Sequence, residues 1–173
     1  MRSTQMKLLF AVFLAAGQQV AALTLTNQTL TYYYDMTAPI GDGGLCAKVG
    51  RNDPTWQDVI LQKGIPACAK AGETYASLNT NRIVAVSQNL VSGVDRALCG
   101  KEVKVFDPQG KQVILAEGPF FVYEGCGTCT VEPKVDFSVK AYAQMCGGTC
   151  GVEPPKLNNP TGFRIEITDK TVF

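Results

Sequence analysis

Two cysteine pairs stand close together in this chain: CGTCTVEP at 126–133 and CGGTCGVEP at 146–154. With Cys46, Cys68 and Cys99 they bring the total to seven. A CxxC, sixteen intervening residues and a CxxxC approximate the spacing of a zinc ribbon. The same spacing suits disulfide staples or a thiol redox centre. Each option fixes a different fold, and the compartment decides between them.

The N-terminus points to that compartment. Arg2 and Lys7 form a positive segment, residues 8–16 are an apolar run, and Val20-Ala21-Ala22 supplies small residues for cleavage. Residues 1–22 therefore read as a secretory signal peptide, with a mature domain at 23–173 that is secreted and extracellular. Secreted chains mature where cysteines pair, so disulfides are favoured over zinc or redox catalysis. The βαβ setting of a thioredoxin-like CxxC is also missing from the pattern. An odd cysteine leaves one thiol free or paired to another chain, so a monomer is expected, with a disulfide dimer as the alternative. Asn27-Gln28-Thr29 is a usable N-glycosylation sequon, whereas Pro160 blocks Asn159-Pro160-Thr161. The second Val-Glu-Pro is too short a match to count as a repeat.

Composition excludes several chemistries. The chain has no histidine, which removes Ser-His-Asp and Cys-His nucleophiles and imidazole metal sites. Acid–base work would fall to carboxylates, Lys, Tyr or Cys. The formal charge is +1, and loss of Arg2 and Lys7 with the leader makes it −1. A near-neutral surface argues against nucleic acid or membrane as the main partner. No cofactor and no metal are expected.

The coarse pattern is short strands. LTLTNQTLTYYY (23–34), RIVAVS (82–87) and GFRIEIT (162–168) read as strands. EVKVF (102–106), the turn DPQG (107–110) and QVILA (112–116) read as a hairpin. Residues 56–61 suggest one helical turn, and DFSVKAYAQM (136–145) a short helix capped by Asp136 or Ser138. Residues 38–44 and 146–160 are rich in turn formers. Many short strands with few helices imply a mainly β, closed barrel of about six strands.

The ordered set Cys99-Gly100-Lys101, strand, Gly110-Lys111, strand, Glu124 two residues before a CxxC, then Asp136-Phe137-Ser138, resembles the double-psi β-barrel of expansins, loosenins and family 45 endoglucanases. Ile83 to Ser87 and Tyr32-Tyr33-Tyr34 resemble two further stretches of that pattern. The chain departs where the family usually has Asp, with Glu124, and where it has Arg and Pro, with Gly125 and Gly127. The resemblance implies a single six-stranded double-psi barrel with short helices and disulfide-stapled loops, lacking the expansins' second, carbohydrate-binding domain.

That resemblance implies a secreted protein that binds cell-wall polysaccharide (cellulose, xyloglucan or a chitin-like polymer) and loosens it without hydrolysis. Glu124 is then the principal acid, with Asp136 supporting it. Tyr33, Tyr123 and Trp56 are candidates to stack on sugar faces. One alternative is an inverting endoglucanase with Asp35 and Glu124 as base and acid, which needs roughly 6.5–9.5 Å between them. Another is a barwin-like effector, defence or inhibitor protein that acts on a protein partner. Each residue also has an architectural use: Asp35 in a turn, Asp136 as a helix cap, Glu124 as a solvated loop acid, the aromatics in the core. Strand alternation puts one of Phe120 and Phe121 inward and one outward.

Overall fold

The computed structural model describes residues 22–37, 54–93, 96–145 and 159–173, with the side chains of 54–58 outside that set. Residues 1–21 of the segment read above as a leader, and Cys46, Cys146 and Cys150, lie outside the described residues.

The strands are β1 (Leu23–Tyr33), β2 (Ile83–Ser87), β3 (Lys101–Phe106), β4 (Gln112–Val113), β5 (Phe120–Cys126), β6 (Lys134–Ser138) and β7 (Phe163–Thr171). Six of them close a ring in the order β3-β5-β2-β6-β1-β7, and β7 pairs back onto β3. Closure leaves no long free edge among the described strands. The β1–β6 and β2–β5 pairs are parallel; β1–β7, β2–β6, β3–β5 and β3–β7 are antiparallel. The chain is therefore a mainly β, closed six-stranded barrel with few short helices. Those helices are α1 (Pro54–Lys63), α2 (Tyr75–Leu78), α3 (Gln88–Val91) and α4 (Val139–Met145).

The strand pattern follows from side-chain alternation. On β7, Phe163, Ile165 and Ile167 are buried while Arg164 and Glu166 are partly exposed, and on β3 Val103 and Val105 turn the same way. These side chains meet Leu30, Val84, Val122, Val135 and Phe137 in one core. The four residues Ile83 to Val86 are all buried, as expected of a strand covered on both faces. Phe120 and Phe121 are both buried, contrary to the one-in, one-out expectation. Phe120 packs edge-on against Phe137, while the Phe121 ring is covered by stacked Phe173 and by the Arg82 guanidinium.

Three local expectations need correction. The hairpin forms, with Val105 opposite Val113, but β4 stops after two residues and Ile114 is 82% exposed. The helix read from Asp136 starts at Val139, because residues 134–138 pair with both β1 and β2. Asp136 is thus a strand residue, and the Ser138 hydroxyl takes the capping bond from the Ala141 N–H at 3.2 Å. The single helical turn expected at 56–61 is a ten-residue helix.

Two disulfides occur among the described residues, Cys68–Cys99 and Cys126–Cys129. The first joins positions 31 residues apart and ties the segment after α1 to the entry of β3; the second closes a four-residue turn after β5.

Candidate functional site

A cleft of about 370 Å³ opens beside β1, β2, β5 and β6. Its floor is set by pairing register. Ala85 on β2 is opposite Glu124 of β5 on one side and Asp136 of β6 on the other. Side chains directly opposite in a sheet share a face. Two strand spacings place the backbones of the two acids about 10 Å apart. Between them the small Ala85 leaves the floor open, and all three line the cleft. The β2–β5 register shifts between Val84 and Ala85, where Val122 and then Glu124 become their partners. The bulge leaves Tyr123 over and aims Glu124 into the cleft.

The wall opposite the barrel comes from α1, α2 and the loop between them. Ile60, Gly64, Ile65 and Tyr75 line this side. Thr74 caps α2 in a reciprocal box: its hydroxyl takes the Ser77 N–H, and the Ser77 hydroxyl takes the Thr74 N–H. Gly64 is required, because a Cβ there would come within 2.7 Å of the Tyr75 ring. The Tyr75 N–H in turn bonds the Gly64 carbonyl at 3.2 Å. The wall is fastened to the barrel by the Cys68–Cys99 disulfide, by the Cys68 N–H on the Tyr123 carbonyl at 3.1 Å, and by the Tyr123 hydroxyl on Glu73 at 2.6 Å.

Glu124 joins floor to wall. Its Oε1 accepts the Ala67 N–H at 3.2 Å and the Gly125 N–H at 2.6 Å, and its Oε2 accepts the Tyr75 hydroxyl. Burial raises the Glu124 pKa, opposed by the two backbone donors. Burial likewise raises that of Asp136, opposed by the Thr31 hydroxyl and by Lys134. Tyr33 is pushed well above the usual tyrosine value by burial and then by the charges of Glu124 and Asp136. It stays protonated and donates to the Ile83 carbonyl. Among the described residues, no Lys or Arg lines the cleft.

The structure thus brings Glu124, Asp136 and Tyr33 of the sequence candidates into one cleft. Asp35 is 2% exposed and is not among the described lining residues. Its Oδ1 accepts the Thr37 N–H at 3.0 Å and the Thr37 hydroxyl at 3.2 Å, the geometry of a turn acid. Tyr123 is buried, with Phe121 and Phe173 against its ring, so it offers no open face to a sugar. The backbone of Trp56 is on α1, and its side chain lies outside the described residues. Asn27 is exposed, with φ of 51°. Sequence reasoning missed Tyr75 and the wall around it. Only the Thr74-x-x-Ser77 spacing hinted at a helix start there.

Searches with protein-family models and against curated proteins find no match to this chain.

Proposed function

We propose that this protein is a secreted, expansin-like binder of neutral cell-wall polysaccharide that loosens glycan networks without cutting them. The observation that carries this is the composition of the cleft. Two partly buried carboxylates lie on its floor, tyrosine and isoleucine side chains form its sides, and no described cation faces it. Tyr34, Tyr75, Ile60 and Ile65 offer apolar area to the flat face of a sugar ring. Glu124 and Asp136 accept hydroxyl protons, and a charged acceptor forms stronger hydrogen bonds than a neutral one. A cleft whose described lining holds no cation gives no reward to an anionic glycan. Such hydrogen bonds compete with those between glycan chains, which is the physical content of loosening. Two parallel pairs within an otherwise antiparallel ring support a double-psi weave.

A second reading has one specific observation in its favour. Glu124 and Asp136 share a face two strands apart, a backbone spacing of about 10 Å. Inverting hydrolysis wants its carboxyl groups roughly 6.5–9.5 Å apart, which side chains on backbones so spaced reach only by leaning toward each other. A hydrolase on this cleft would use Asp136, rather than Asp35, with Glu124.

Incubation with cellulose, xyloglucan, chitin and peptidoglycan, recording bound fraction and new reducing ends together, separates these readings. Binding without new ends is the expected result. New ends that vanish in both Glu124→Gln and Asp136→Asn would establish the hydrolase. Absence of binding and cleavage on every polymer would overturn both and direct attention to a protein partner.

A further inference from the structure

Beside the cleft floor lie two cysteines that the glycan reading does not use, next to Asp136, which it does. The sulfurs of Cys126 and Cys129 and a carboxylate oxygen of Asp136 all lie within 4.8 Å of one another. Both cysteines are buried, and they pack with Ala85 and Tyr33. Asp136 also faces the cleft, so the cluster has a path to solvent.

We propose that, once Cys126–Cys129 is reduced, these three groups form a binding site for a thiophilic divalent cation such as Zn2+. Two thiolates and one carboxylate are a donor set that this ion takes, and three protein ligands leave a fourth position for water from the cleft. Two hydrogen-bonding groups already surround one sulfur. The Cys129 N–H donates to Cys126 Sγ at 3.1 Å, and Thr128 Oγ1 lies 3.5 Å from the same atom. A sulfur in a disulfide is a weak acceptor that gains little from them, whereas a thiolate is stabilised by each. The turn between the cysteines therefore suits the reduced state as well as the oxidised one.

The fold depends less on this bond than on Cys68–Cys99. The Cys126–Cys129 loop spans only three positions, against 31 for Cys68–Cys99, so it contributes the smaller loop-closure stabilisation. The reductant is a dithiol: the Sγ–Sγ bond accepts two electrons and two protons, and the dithiol becomes a disulfide. Metal binding then releases the two thiol protons to solvent. A cation held there draws on Asp136 and removes that acid from the cleft, which couples thiol state to glycan binding.

The test uses the full chain, reduced with a dithiol under nitrogen, freed of reductant and titrated with Co2+. The expected result is about one equivalent bound, with a sulfur-to-cobalt charge-transfer band that Zn2+ abolishes. Oxidised protein gives no such band. Cys126→Ser removes it, and Asp136→Asn weakens Co2+ affinity at least about tenfold. Absence of the band in reduced protein would overturn the proposal. So would a band unchanged in Cys126→Ser, which would place the ion on other cysteines, or a Co2+ affinity unchanged in Asp136→Asn. Should Asp136→Asn fail to fold, Cys126→Ser and Cys129→Ser decide the matter by the same band.

Discussion

Among the described residues, two clefts of similar size open on this barrel, and they are built in different ways. The first, about 370 Å³, holds Glu124 and Asp136 on a floor of paired strands beneath a wall fixed by a disulfide and a capping box. The second, about 310 Å³, lies where β4 and β5 part company along β3. Its charged groups, Glu102, Lys104 and Lys170, include an ion pair in which the Lys170 side chain is 63% exposed. Exposed pairs of that kind contribute little. Its most prominent apolar side chain, Ile114, is 82% exposed and follows a strand that has already ended. Volume therefore does not mark the site. What separates the two is polar groups held under desolvation by donors from several elements.

The largest effect should come from loosening the wall. Replacing Cys68 and Cys99 with Ser should cost about 3–4 kcal/mol, from a closed loop of this length. Chemical denaturation measures it. A loss no greater than that for Cys126–Cys129 would erase the distinction between stapled wall and tight turn. Next, Glu124→Gln should weaken glycan binding about tenfold or more, roughly 1.4 kcal/mol, while Glu102→Gln leaves binding unchanged. Equal losses in pull-down assays would make the clefts equivalent. Removing the tyrosine hydroxyl in Tyr75→Phe takes away one donor to a carboxylate. It should cost about 1.5–3 kcal/mol in melting experiments, because Glu124 Oε2 then loses that partner.

A pH series sharpens the contrast further. The folded-state pKa values of Glu124 and Asp136 are raised, so their contribution to stability is present at acid pH and is lost as pH rises through those values. Glu73 on the wall behaves in the opposite sense. The Tyr123 hydroxyl and the Lys70 N–H lower its pKa, so its contribution is lost as pH falls. Between about pH 4 and pH 8, the melting temperature of Glu124→Gln should gain on the unmodified protein as pH rises, while Glu73→Gln should fall behind. The smallest effect belongs to Ile114→Ser in the second cleft, within about 0.5 kcal/mol of no change.

Much of this fold is legible because the strands carry their pattern openly. The alternation in EVKVF and FRIEI and the turn at DPQG need no tertiary information. The same cannot be said of β6. An acid three residues ahead of an apolar helical run looks like a helix cap, and only pairing on both sides makes residues 134–138 a strand. The acids at 124 and 136 could be picked out only through the resemblance to double-psi barrel families, because residue by residue they read as a loop acid and a helix cap. Tyr75 could not, because it reaches Glu124 across 49 positions of chain and nothing local announces the contact. Asp35 follows a tyrosine run that does reach the cleft, yet it turns back to serve Thr37. A side chain's direction after a strand ends is set by the turn, which composition alone does not specify.

The most direct test of the cleft is an NMR titration of isotopically labelled protein with a soluble cello-oligosaccharide. Amide shifts concentrated at Tyr33, Gly64, Tyr75, Glu124 and Gly125, with residues 112–119 unmoved, are the predicted result. Shifts centred on 112–119 would move the binding site to the other cleft and contradict the account.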